Sequence, residues 1–124
     1  MPRFASRVFL AAGIFGMIAL PPLYFLEDRL GRENPPPLTH PEFFYGFIGV
    51  AIAWQLVFLV IGGDPTRYRP LMLPSVCEKL GWGIAVVALF VAGRIPARVV
   101  PLGLVDLVFA VLFVLSYVRT PRAR

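Results

Sequence analysis

An all-α fold, a four-helix transmembrane bundle in an antiparallel up-down arrangement, is what this sequence predicts, and three observations carry that prediction. Four apolar runs of roughly 18–20 residues each match the hydrocarbon thickness of a bilayer. The chain is 58% apolar against 15% charged, with a mean hydropathy of +0.77, outside the composition of an ordinary soluble domain. The charges fall almost wholly in the gaps between the runs. No linker divides the chain, so its 124 residues read as one transmembrane domain with helices at about 8–26, 43–62, 75–92 and 101–118.

The first run follows the basic segment MPRFASR, an arrangement that resembles a secretory signal. The run is longer than a signal core and no A-x-A site follows it, so it reads as an uncleaved first helix. Ala12, Gly16 and Ala19 form a small-residue stripe that admits a close neighbour, and Pro21–Pro22 ends the regular helix early. The polar segment Glu27–Pro41 comes next, and Pro35–Pro37 favours a stiff extended conformation there. Thr39 reads as an N-cap for the second helix, with Pro41 and Glu42 in its first turn. That helix sets Gly46, Gly49 and Ala53 on one face. Gln55, with Ala51, Phe58 and Gly62, lies on the opposite face. An amide aimed into lipid is costly, so Gln55 marks a helix–helix contact, either inside the bundle or with a second copy.

The central segment Gly62–Lys79 holds two glycines, three prolines, Arg67, Arg69 and Lys79, and it reads as the polar break between the second and third helices. Ser75-Val76-Cys77-Glu78 has the spacing of a capping box, which gives Glu78 a structural task. The third helix then shows the stripe Gly81, Ala85, Ala88 and Ala92. A short loop, Ile95–Val100, leads to the fourth helix and a basic tail. Lys and Arg number eight in the N-terminus, central loop and tail against four in the other two loops, so both termini are expected in the cytoplasm.

A net charge of +5 in this setting belongs to topology and anionic lipid headgroups rather than to nucleic acid. With one cysteine and one histidine the chain has neither an internal disulfide nor the ligand set of a structural zinc site or a bis-histidine haem. No metal or cofactor is therefore expected. Asp106 is the residue whose position is costly: an aspartate near a helix centre costs about 2.5–3.5 kcal/mol, offset by roughly 0.3–0.6 for each surrounding Leu, Val or Phe. Gly103, Ala110, Phe113 and Tyr117 share its face, so the carboxylate is expected to point inward. The reading places it toward the outer side, paired with Arg94 or Arg98, with His40 and Glu42 near the mouth of the same polar cluster.

No catalytic motif is present. The expected function is a non-enzymatic membrane protein that binds a partner or a small apolar ligand. A dimeric proton-linked transporter is the alternative, although the acid such four-helix transporters carry in their first helix is absent here. A lipid-modifying enzyme using His40, Glu42 and Asp106 as acid and base stands further behind. The segments HPEFFYGF and GDPTRYRPLMLPSVCEKLGWG, together with Asp106, resemble a group of uncharacterised small bacterial four-helix membrane proteins. The general layout is also similar to DoxX-like proteins. The resemblance implies the four-helix fold and a bacterial inner membrane, and brings no activity or site residues with it.

Overall fold

The structure, a computed structural model, describes residues 2–123; Arg124, counted above with the basic tail, lies outside them. The described residues form five α-helices and no strand: α1 (Arg3–Ala19), α2 (Glu27–Glu33), α3 (Pro41–Gly63), α4 (Met72–Val91) and α5 (Val100–Arg119). With the 3₁₀ turns that extend three of them, four spans are long and apolar enough to cross a membrane: Arg3–Phe25, Pro41–Gly63, Arg69–Val91 and Ala97–Arg119.

Proline sets several boundaries. α1 stops at Ala19 and the chain continues as a 3₁₀ turn over Pro21–Phe25, because neither proline can donate to the helical ladder. α3 opens with Pro41 in its first turn, where the missing N–H has no helical acceptor to lose. Its cap position is His40 rather than Thr39, and no side chain caps it. The polar segment before α3 contains the short helix α2, which the triple proline had masked; Glu27 and Asp28 begin it and Arg32 lies in its last turn, both favourable to the helix dipole.

The largest departure concerns α4. It begins at Met72, one turn before the expected start, after a 3₁₀ turn at Arg69–Leu71. Pro74 sits in its first turn, which tolerates proline. Ser75 is therefore inside the helix, and its hydroxyl donates to Leu71 O at 2.7 Å. The capping box does not form. Glu78 is released from that task, and Lys79, counted with the polar break although inside the expected 75–92 helix, lies well within α4 on its buried face.

The helices associate in two close pairs, α1 with α3 and α4 with α5, joined through α1 and α5, while α3 and α4 touch at few points. Glycines set the close pairs. A Cβ added at Gly13 would lie 2.7 Å from Leu59, and one at Gly62 would lie 2.7 Å from Leu10. Between α4 and α5, the same test puts Gly83 2.6 Å from Leu107 and Gly103 2.6 Å from the Val86 Cβ. The Ser6 hydroxyl donates to Gly62 O at 2.8 Å across the first pair. Phe9, Phe58 and Phe113, all fully buried, tie α1, α3 and α5 together. Phe9 and Phe113 stack at 4.1 Å and Phe58 meets Phe113 edge-on at 5.0 Å, geometries that suit the aromatic quadrupole. The expected stripe Gly81, Ala85, Ala88 and Ala92 is exposed instead; α4 buries Met72, Ser75, Lys79, Gly83 and Val86.

Candidate functional site

Three ionisable side chains meet near the middle of the apolar spans. Lys79 projects from the buried face of α4, only 3% exposed. Its Nζ lies 3.5 Å from Asp106 Oδ1 and 3.9 Å from Glu78 Oε2. It also lies 5.0 Å from the Phe58 ring centre and 5.5 Å from that of Phe109, so two aromatic faces share in stabilising the ammonium. Asp106 sits beside the buried α5 residues Gly103, Ala110 and Phe113, whereas Leu104, Val108, Val111 and Leu115 face outward.

The pairing differs from the expected one. Asp106 meets Lys79, not Arg94 or Arg98. Arg98 is held at the end of the bundle, where it donates to the Asn34 side chain and, at 2.9 Å, to Glu33 O. Arg94 is exposed and makes no ion pair among the described residues. His40, at the cap of α3, and Glu42, in its first turn, are exposed and meet each other 3.2 Å apart. The physical reason is reach: both arginines precede α5 in the connection from α4, whereas Lys79, once inside the helix, faces α5 directly.

Gln55 is 2% exposed. Its Nε2 donates to Ala51 O at 2.8 Å on its own helix, and its side chain fills the place where a Cβ on Gly16 would sit. It is thus an α1–α3 contact within one chain, with no surface left for a second copy. Its Oε1 is buried without a hydrogen-bond donor.

Where α3 and α4 diverge, a groove of about 480 Å³ opens to the side. Phe43, Phe47 and Trp54 of α3 and Trp82 of α4 form its walls, with Glu78 the one charged residue that lines it. Phe47 and Trp82 stack across it with ring centres 5.4 Å apart. Glu78 Oε2 is covered and receives no hydrogen bond, a costly condition for a carboxylate. Gly46 and Gly81 also line the groove, and a Cβ on either would meet nothing. The arrangement can accept an apolar body and present it with a carboxylate. Among the described residues no three His, Cys, Asp or Glu side chains group as metal ligands.

Sequence reasoning missed Glu78 and Lys79 as site residues. The signal was there: Met72, Ser75, Lys79, Gly83 and Val86 recur at helical spacing, which places the lysine on the packed face. Comparison with family models, with curated proteins and with solved structures found no match.

Proposed function

We propose that this chain is a non-enzymatic, multi-pass protein of a bacterial inner membrane that binds a small apolar molecule in the groove between α3 and α4. The groove carries the reading: apolar and aromatic walls with one convergent polar group are the usual makeup of a small-molecule site. An up-down, antiparallel path with both termini in the cytoplasm goes with it. The contact of Ser6 with Gly62, at opposite ends of their spans, supports the antiparallel path. With Lys79 inside α4, Arg3, Arg7, Arg67, Arg69, Arg119, Arg122 and Arg124 still outnumber Arg29, Arg32, Arg94 and Arg98. Anionic lipids and a membrane-protein partner or second copy fit the same picture, and nucleic acid does not.

Both tryptophans of the chain line the groove, so indole emission reports on it directly. Protein in lipid nanodiscs should show saturable quenching by a brominated apolar probe. Gly46→Leu, which fills the groove without touching either close pair, should abolish that saturation. Quenching that rises linearly with probe in both proteins would remove the reading.

One observation favours a second reading, the dimeric proton-linked transporter. Two carboxylates share one ammonium in the apolar interior, and a proton can neutralise the one left over, as at many intramembrane pathways. Uptake into proteoliposomes that depends on a pH gradient and is lost in Glu78→Gln would support it. The enzyme reading has no such support, because His40 and Glu42 face solvent together while Asp106 is occupied by Lys79.

A further inference from the structure

Resting on the groove as a binding site, we infer the chemical class of its occupant: a lipophilic monovalent cation, an amine or quaternary ammonium carried on an apolar body, with its charged end at Glu78. Three observations converge on it. The cluster has two carboxylates and one ammonium, and Lys79 stands nearer to Asp106, 3.5 Å, than to Glu78, 3.9 Å. Glu78 is therefore the acid left short of a partner, and its Oε2 is covered and accepts no hydrogen bond. It is also the member of the cluster that lines the groove.

The walls suit the same ligand. Phe47 and Trp82 lie stacked beside the carboxylate's groove, and aromatic faces attract a desolvated cation, tryptophan most strongly. A neutral apolar molecule would leave the Glu78 charge uncompensated, and an anion would be repelled by it. A second copy seated two-fold on this seam would bring its own Glu78 to the same place, adding like charge in a medium of low dielectric. A monovalent cation balances the cluster.

The test uses two probes of one shape: benzyltrimethylammonium and its uncharged carbon isostere, neopentylbenzene. Each is titrated against Trp54 and Trp82 emission of the full chain in phosphatidylcholine nanodiscs, with affinities referred to the probe concentration in the bilayer. The cation should bind about tenfold more tightly than the isostere. Glu78→Gln should bring the cation down to the level of the isostere and leave the isostere unchanged. Equal binding of the two probes by the unaltered protein overturns the charge assignment and leaves the groove standing, and it does so whether or not the variant folds. A cation preference that persists in Glu78→Gln also overturns it. Binding of neither probe removes the groove reading itself. Emission that changes with the number of chains per disc and ignores the cation would identify a second copy as the occupant, again against the inference.

Discussion

The seam between α4 and α5 and the seam between α3 and α4 use the same small residues to opposite ends. At the first, Gly83 and Gly103 let two backbones approach until a single added methyl would collide with Leu107 or Val86. At the second, Gly46 and Gly81 face open space, and the helices separate around a carboxylate. Glycine permits contact but does not produce it. The α4–α5 seam also holds the Lys79–Asp106 pair, 3.5 Å apart, so that each charge meets its opposite where the backbones are closest. The other seam carries Glu78, for which α3 supplies no counter-charge.

The largest expected effect comes from removing the shared cation. Lys79→Met leaves two carboxylates without their ammonium and should destabilise the protein by about 3–5 kcal/mol, measured by reversible unfolding in mixed detergent. Adding Asp106→Asn to the same chain should recover much of that loss. If the double variant were no better than the single one, the pair would not be what holds this seam. Next in size, Gly103→Ala forces a Cβ onto the stiff Val86 and should cost about 1–3 kcal/mol. Gly81→Ala, on the same helix pair but facing the groove, should fall within about 0.5 kcal/mol of the parent. Equal costs at the two glycines would abolish the distinction between the seams.

Smaller again is Asn34→Ala, which removes the acceptor that Arg98 uses to hold α2 to the loop before α5. A loss of about 0.5–1.5 kcal/mol, confined to hydrogen-exchange protection of Glu27–Glu33, is expected. The smallest effect belongs to the exposed Arg29–Glu33 pair, 2.9 Å apart. Glu33 holds the Arg29 guanidinium above its ordinary pKa through a hydrogen bond and then its charge. A raised pKa contributes stability below the unfolded value and loses it only as pH climbs through the folded one. For an arginine that loss lies far in the alkaline range, so Glu33→Gln should lower the melting temperature only slightly, the pair being exposed, and by the same amount at every pH near neutrality.

The helical class and the four long apolar spans could be read from the sequence because both depend on composition and period alone. The inward face of α5 could be read for the same reason: Gly103, Ala110 and Phe113 line up with Asp106. The partner of Asp106 could not, because it depends on how α4 lies against α5, which is settled by Gly83 and Gly103 meeting side chains of the other helix. The inward direction of Lys79 is lost when its charge is counted with the polar break, although a helix whose other buried residues continue in phase can carry a lysine inward. Glu78 was misread through a local pattern, S-x-x-E, that the preceding 3₁₀ turn makes irrelevant.

The position of Lys79 and Glu78 within α4 also bears on how the chain is made. As α4 leaves the ribosome it carries two charges at the depth of the acyl chains, each of which opposes its release into lipid by itself. Asp106 arrives only with the next span. The favourable partner of Lys79 is thus made after Lys79 itself, and a chain halted between α4 and α5 should hold α4 across a bilayer less firmly than one that has reached α5.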